Sequence, residues 1–238
     1  MQLSIPAIQE LEQHLLSEGI AQVGYSKPGD TLPERYRHLP YAITLVYKLS
    51  DAVIDEILTQ AEPPRPTFSY FQHYRAVNAF LDSKTLWITA MLERLGALAL
   101  PVAASQSVKD MGPYSGVFPH KTAAVLAGLG WIGKSALFVS PQFGPRVRLA
   151  TVLTDYPLPL SDHKDLPGCG ACMRCVKACP ASAITGKPYT PGCSRSNLFD
   201  PQACSEHMKH AYQQIGRGAV CGICMAVCPF GRHRLEPE

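Results

Sequence analysis

Apolar residues first recur at helical spacing: Ile8, Leu11, Leu15 and Leu16 share one face of a helix predicted over 8–19 and stopped near Gly19. The helical period is then lost. The run Ile20-Ala-Gln-Val-Gly-Tyr-Ser predicts a strand over 20–26, and the nearly unbroken apolar run Tyr41-Ala-Ile-Thr-Leu-Val-Tyr a buried strand over 41–47. A short helix follows over 51–60. The turn-rich stretch Ala61-Glu-Pro-Pro-Arg-Pro separates it from a long helix over 70–95 that ends at Gly96. Strands are predicted over 97–104, 136–140 and 147–154, with a helix over 120–127. Between them, 105–119 carries Gly112, Pro113, Gly116 and Pro119 and reads as a loop of the kind that covers a site. From Leu158 onward the pattern gives way to loops and cysteines. The expected fold class is therefore α+β: a body over 1–160 followed by a ferredoxin-like module over 161–238.

Composition sharpens this picture modestly. Hydrophobic residues make up 46% of the 238 and charged residues 17%, which is globular usage. The N-terminus lacks a basic stretch, and no run of apolar residues is long enough to span a bilayer, so a cytoplasmic chain without membrane contact is expected. In that setting, abundant cysteine means reduced thiols serving as ligands. A net charge of +3 makes no general case for nucleic acid.

Seven of the nine cysteines fall in two runs, Cys169-x2-Cys172-x2-Cys175-x3-Cys179-Pro180 and Cys221-x2-Cys224-x3-Cys228-Pro229. This is the spacing of a two-cluster ferredoxin. Three close thiolates of a run hold one cube, and the cysteine before proline reaches across to the other. Structural zinc also uses paired C-x2-C, but it has no place for a third cysteine in the C-x2-C-x2-C-x3-C-P chain. Crossed ligation gives one cube to Cys169, Cys172, Cys175 and Cys228. The other takes Cys179, Cys221, Cys224 and either Cys193 or Cys204, which spacing alone leaves open. Such a module moves electrons one at a time.

Residues 128–135, Gly-Leu-Gly-Trp-Ile-Gly-Lys-Ser, match both the phosphate-loop pattern and G-x-G-x-x-G. Both motifs need a strand before and a helix after, so that a helix N-terminus faces phosphate. Here the predicted order is reversed, and Trp131 is bulky for a loop that must hug phosphate. An ATP-dependent iron–sulfur protein is the reading this match would support.

The stretch from His120 to Pro159, with Ala-Gly-Leu-Gly-Trp-Ile-Gly-Lys, an apolar strand, Gly144 and Leu-Thr-Asp155, followed by the cysteine runs, resembles the epoxyqueuosine reductase family. That family is similar in its cluster module to corrinoid-dependent reductive dehalogenases. The resemblance implies a nitroreductase-like α/β body that binds cobalamin, two [4Fe-4S] clusters feeding electrons to cobalt, and a ferredoxin or flavodoxin as donor. It implies that Gly128, Leu129, Gly130, Trp131, Ile132, Gly133 and Lys134 line the corrinoid pocket. It also favours Cys204 over Cys193, through the segment Phe199-Asp-Pro-Gln-Ala-Cys204. The tRNA-modifying members place an aspartate shortly before the segment matching His120-Lys-Thr-Ala and commonly continue into a helical-repeat domain. Here 110–119 reads Asp-Met-Gly-Pro-Tyr-Ser-Gly-Val-Phe-Pro, and the chain ends at Glu238. A short form acting on a different substrate, small-molecule in kind, is therefore expected, with tRNA epoxyqueuosine reduction as an alternative.

Reduction needs a proton donor. The candidates nearest the loop are Asp110, Tyr114 and His120, each with an ordinary role as cap, surface or packing residue beside the catalytic one. Tyr70, His73, Tyr74 and Arg75 form a second polar-aromatic group, expected to be a solvated or packed helix start rather than a substrate site. Arg146 and Arg148 alternate along a strand and share a face, where they would contact corrin carboxamides, an acidic donor or solvent. The competing class is an electron carrier or corrinoid-reducing activator with no substrate of its own, although a two-cluster carrier needs far fewer residues than this body supplies.

Overall fold

The computed structural model describes residues 5–161, 166 and 168–231. Residues 162–165 and 232–238, which the sequence reading assigns to the cysteine module, lie outside the described residues. Helix α1 (Ile5–Ser17) stops where Gly19 takes φ +97°, and the chain enters β1 (Gln22–Ser26). There follow β2 (Tyr41–Lys48), α2 (Asp51–Thr59), α3 (Phe68–Arg94), β3 (Ala99–Val102), α4 (His120–Leu126), β4 (Trp131–Ile132), β5 (Phe138–Val139) and β6 (Val147–Thr154). The cysteine region adds α5 (Arg174–Lys177), α6 (Pro201–Ala211) and α7 (Ile223–Ala226). The architecture is a mixture of helix and sheet.

Four strands form one sheet in the order β1-β2-β6-β3. β1 runs antiparallel to β2, with Gln22 opposite Val46, and β3 antiparallel to β6, with Ala99 opposite Thr154. The two middle strands are buried along almost their whole length, so their sequences read as continuous apolar runs. Leu32, Leu39, Ala42, Val102, Phe118, Ala123 and Leu153 form a core cluster. Helix α4 packs on β1 and β2, close enough that a Cβ on Gly24 would lie 2.8 Å from both Ala127 Cβ and Leu129 Cδ1.

The chain divides into two compact units that are discontinuous in sequence. The first gathers the described parts of 1–48, 77–129 and 148–165 and holds the four-stranded sheet. The second gathers the described parts of 49–76, 130–147 and 166–238 and holds every cysteine. Three differences from the sequence reading have local causes. The strand predicted over 97–104 ends at Val102, because the Ala104 N–H donates to Asp82 Oδ1 (2.8 Å) instead of a strand partner. The strand predicted over 136–140 shrinks to β5, because Ala136 sits at φ +57°. Its partner β4 lies inside the glycine-rich run, where two residues carry no periodicity to detect.

Candidate metal centre

Each cysteine run folds around one turn of helix. α5 spans the step from Cys175 toward Cys179, and α7 the step from Cys224 toward Cys228. The helix thus precedes the Cys-Pro pair, which closes it, rather than starting there. α5 and α7 contact each other, and α7 rests on α2. At that contact Gly222 takes φ +80°, and a Cβ there would fall 2.8 Å from Ile57 Cδ1 and from the Tyr70 ring. Glycine is needed between Cys221 and Ile223 on both counts.

The thiols sort into two groups. Cys228 lies within electrostatic reach of Cys169, Cys175 and Cys172. Cys221 lies within reach of Cys204 and Cys179, and Cys224 of Cys221, Cys204 and Cys179. Cys224 also feels Cys175, which brings the two groups near each other. Cys193 lies within electrostatic reach of Tyr189. Burial pushes the Cys221 and Cys228 thiols up to about 11 and the Cys224 thiol higher still, and neighbouring thiols add to the rise. Thiols so placed keep their protons until a cation replaces them. Eight sulfur donors in two groups of four fit two [4Fe-4S] cubes. Among the described residues no three His, Cys, Asp or Glu side chains close to single-ion spacing; a cube spreads its ligands wider.

The first group opens on a pocket whose lining includes Cys169, Cys172, Cys175, Cys228, Lys134 and Phe230. Lys134, 9% exposed, donates from Nζ to the carbonyls of Gly170 (2.8 Å) and Cys172 (3.2 Å) and approaches Met173 Sδ at 3.6 Å. The glycines before it are fitted to protein. A Cβ on Gly130 would overlap the Val139 carbonyl and the Phe138 ring, and one on Gly133 would stand 2.9 Å from Val139 Cγ2 and 3.3 Å from Cys169 Sγ. Gly128, at φ +68°, ends α4. The segment is a helix–turn–strand, the reverse of a phosphate loop. Trp131 meets Phe230 edge-on, with centroids 5.0 Å apart, and its buried indole N–H has no partner among the described residues.

The second group is built on α6. Asp200 caps this helix, accepting from Gln202 N (2.9 Å) and Ala203 N (3.0 Å) with Pro201 at the first position, and the first turn carries Cys204. Asp200 is the charged side chain that bears on the Cys204 thiol.

The polar candidates lie apart from the thiols in kind. His120 is held at both ring nitrogens, by Thr151 Oγ1 (2.9 Å) and the Ala103 carbonyl (3.0 Å). Burial pushes it down to about 4, the Ala103 carbonyl opposes, Arg148 reinforces and Asp82 opposes. It is neutral near pH 7 and ties α4 to β6 and to the end of β3. Asp110 is exposed in a 3-10 turn (Lys109–Met111). Tyr114 is 40% exposed at φ +55°, a conformation that costs a non-glycine residue energy. Both sit on the 105–119 loop, whose Val108 N–H bonds to the Ser115 carbonyl at 2.8 Å.

Arg146 stands just before β6 and Arg148 within it, and neither is a surface arginine. Arg146 is 1% exposed and pairs with Asp51 (3.0 Å) and Asp55 (2.7 Å) of α2. Arg148 donates to Asn78 Oδ1 (2.9 Å) and the Ala104 carbonyl (3.0 Å). His73 accepts from the Ser50 N–H at the head of α2 (3.0 Å), and Tyr70 is buried while Arg75 is exposed, so the start of α3 is packed on one side and solvated on the other. Sequence reasoning missed the place of Lys134, because its partners lie 36 to 39 positions away.

Residues 168–231 match the family described as "4Fe-4S double cluster binding domain". The chain is 30% identical over 166 residues to an epoxyqueuosine reductase of Listeria monocytogenes, covering 63% of this chain and 40% of that protein. It is 32% identical over 169 residues to the tetrachloroethene reductive dehalogenase of Sulfurospirillum multivorans, covering 67% of this chain and 32% of that protein. It thus spans well under two thirds of either relative. In fold it is similar to an epoxyqueuosine reductase solved with a tRNA-Tyr epoxyqueuosine-modified stem loop: TM-score 0.63, 15% identity, 96% of this chain and 66% of that one. Among the described residues no helix is long and apolar enough to cross a membrane. The double-cluster domain, the thiol arrangement and these likenesses agree: the chain carries a 4Fe-4S double-cluster domain and is similar in sequence and fold to epoxyqueuosine reductases and reductive dehalogenases.

Proposed function

We propose that this chain is an iron–sulfur reductase that also binds a corrinoid, with a nitroreductase-like body over 1–160 and a double-cluster module over 161–238. The observation that carries the reading is the sorting of eight thiols into two crossed groups in a chain with corrinoid-family likeness. Cys169, Cys172, Cys175 and Cys228 hold one cube, and Cys179, Cys204, Cys221 and Cys224 the other. When bound, the cubes supply single electrons and the corrinoid a strongly reducing cobalt.

The corrinoid's fit rests on the 128–134 segment, and the segment divides. The Trp131 N–H is buried and has no partner among the described residues, as a donor awaiting a carboxamide would be. Gly130 is engaged by Val139 and Phe138, Gly133 stands beside Cys169 Sγ, and Lys134 is bound to the Gly170–Met173 loop. For proton delivery, the neutral, doubly bonded His120 is a positioning residue. Tyr114 and Asp110 are the proposed donors, a reading supported by their exposure on the 105–119 loop. A small electrophile reduced with Tyr114 as donor is the first substrate reading. The second, an epoxyqueuosine-bearing tRNA, is favoured by charge. Residues 168–231 carry Arg174, Lys177, Lys187, Arg195, Lys209 and Arg217 against Asp200 and Glu206, an excess that suits phosphate and equally an acidic ferredoxin or flavodoxin donor.

The test is anaerobic reconstitution with iron, sulfide and cobalamin. About eight irons with a retained corrinoid support the reading; eight irons with none turn it into an electron carrier or activator. Turnover of the loaded protein on an epoxyqueuosine stem loop and on halogenated phenols then separates the substrates.

A further inference from the structure

Lys134 is a buried cation that the established motifs do not explain. An ammonium has three N–H donors, and all three go to one short stretch: the Gly170 carbonyl, the Cys172 carbonyl and Met173 Sδ. That stretch is the loop that carries Cys169 and Cys172. Lys134 also lines the pocket onto which Cys169, Cys172, Cys175 and Cys228 open. Among the described residues no carboxylate pairs with it. A buried charge without a counter-charge is strongly unfavourable, and carbonyl dipoles and a thioether do not neutralise one. The four thiolates of a bound cube carry net negative charge at this place, and they supply the missing counter-ion. Cluster potentials respond to nearby charge and hydrogen bonding.

We propose that Lys134 is a positioning and charge-setting residue for the cube of Cys169, Cys172, Cys175 and Cys228: it ties the ligand loop and raises the reduction potential of that cube alone. The proposal rests on the double-cluster reading above. In the second group the charged side chain that bears on a thiol is a carboxylate, Asp200 beside Cys204.

The experiment is an EPR-monitored redox titration of the reconstituted full chain, with iron and sulfide analysis, on wild type, Lys134→Met and Lys134→Arg. Wild type shows about eight irons and two one-electron waves; failure at this step removes the double-cluster reading itself, whatever Lys134 does. In Lys134→Met one wave moves to lower potential by about 59 mV or more, a tenfold loss in the equilibrium for reduction, while the other stays. Lys134→Arg keeps the charge and stays near wild type. Both waves unmoved in a fully loaded Lys134→Met, or both moved alike, overturns the proposal. If Lys134→Met loses four irons, Lys134→Arg decides: recovery of the irons at the wild-type potential supports it, and equal loss overturns it.

Discussion

The two groups of four thiols have the same ligand chemistry and opposite surroundings. The group of Cys169, Cys172, Cys175 and Cys228 has a buried lysine at its loop and Arg174 in the pocket lining. The group of Cys179, Cys204, Cys221 and Cys224 has the Asp200 carboxylate and stands on a capped helix. Cysteine spacing decides that two cubes are bound. Residues distant in sequence decide that the cubes differ. A cation stabilises the reduced, more negative cube and an anion disfavours it, so the first cube is expected at the higher potential. The two are close enough for Cys224 to feel Cys175, so that difference sets a direction for the electron between them.

The comparison is broken most decisively through its membership. Cys204→Ser is expected to remove about four of eight irons and abolish one EPR signal, whereas Cys193→Ser keeps all of them. The reverse result would give the second cube to Cys193. Next comes the scaffold. Asp55→Ala leaves the Arg146 guanidinium, 1% exposed, short of a partner, and is expected to cost about 3 kcal/mol by chemical denaturation. Because α2 packs on α7, which carries Cys224, iron should be lost first from the second group.

A third test isolates the sheet-bearing unit from both cubes. His120 has its folded value pushed below the ordinary one, to about 4, so the folded chain binds fewer protons than the unfolded chain between the two values. Stability is then full above about pH 6.5 and falls as pH drops toward 4, by up to about 3 kcal/mol. His120→Gln should flatten that limb of the denaturation profile without changing iron content; an unchanged limb assigns the loss to other groups. The smallest effect is the sharpest for the comparison. Asp200→Asn keeps a good helix cap and removes the charge, so only the second wave should move, upward and by less than about 59 mV. A downward shift would contradict the electrostatic contrast.

Much of the fold was legible because the elements are long and periodic. α1, α3, β2 and β6 appear within a few residues of their predicted bounds, and the cysteine runs announce their chemistry through fixed local spacing. Cys204 needed more than spacing, because the four members of the second group come from three separate stretches of chain. The arginines were misread for a related reason. Alternation along a strand says which residues share a face, but not that Asp51 and Asp55 wait for Arg146 from 95 and 91 positions away.

The sequence by itself determined the local terms: which segments are helix or strand, that the thiols are ligands, and that 128–135 runs from helix to strand and so does not cradle phosphate. These depend on neighbours within a few residues, where backbone geometry and side-chain period act directly. Tertiary structure alone decided the weaving of the chain into two discontinuous units, the sealing of His120 between Thr151 and Ala103, and the turning of Lys134 onto the Gly170–Met173 loop. Each of these joins residues far apart in the chain, and a buried polar group takes whichever partner the fold brings to it, because leaving it unpaired costs more than any local preference supplies.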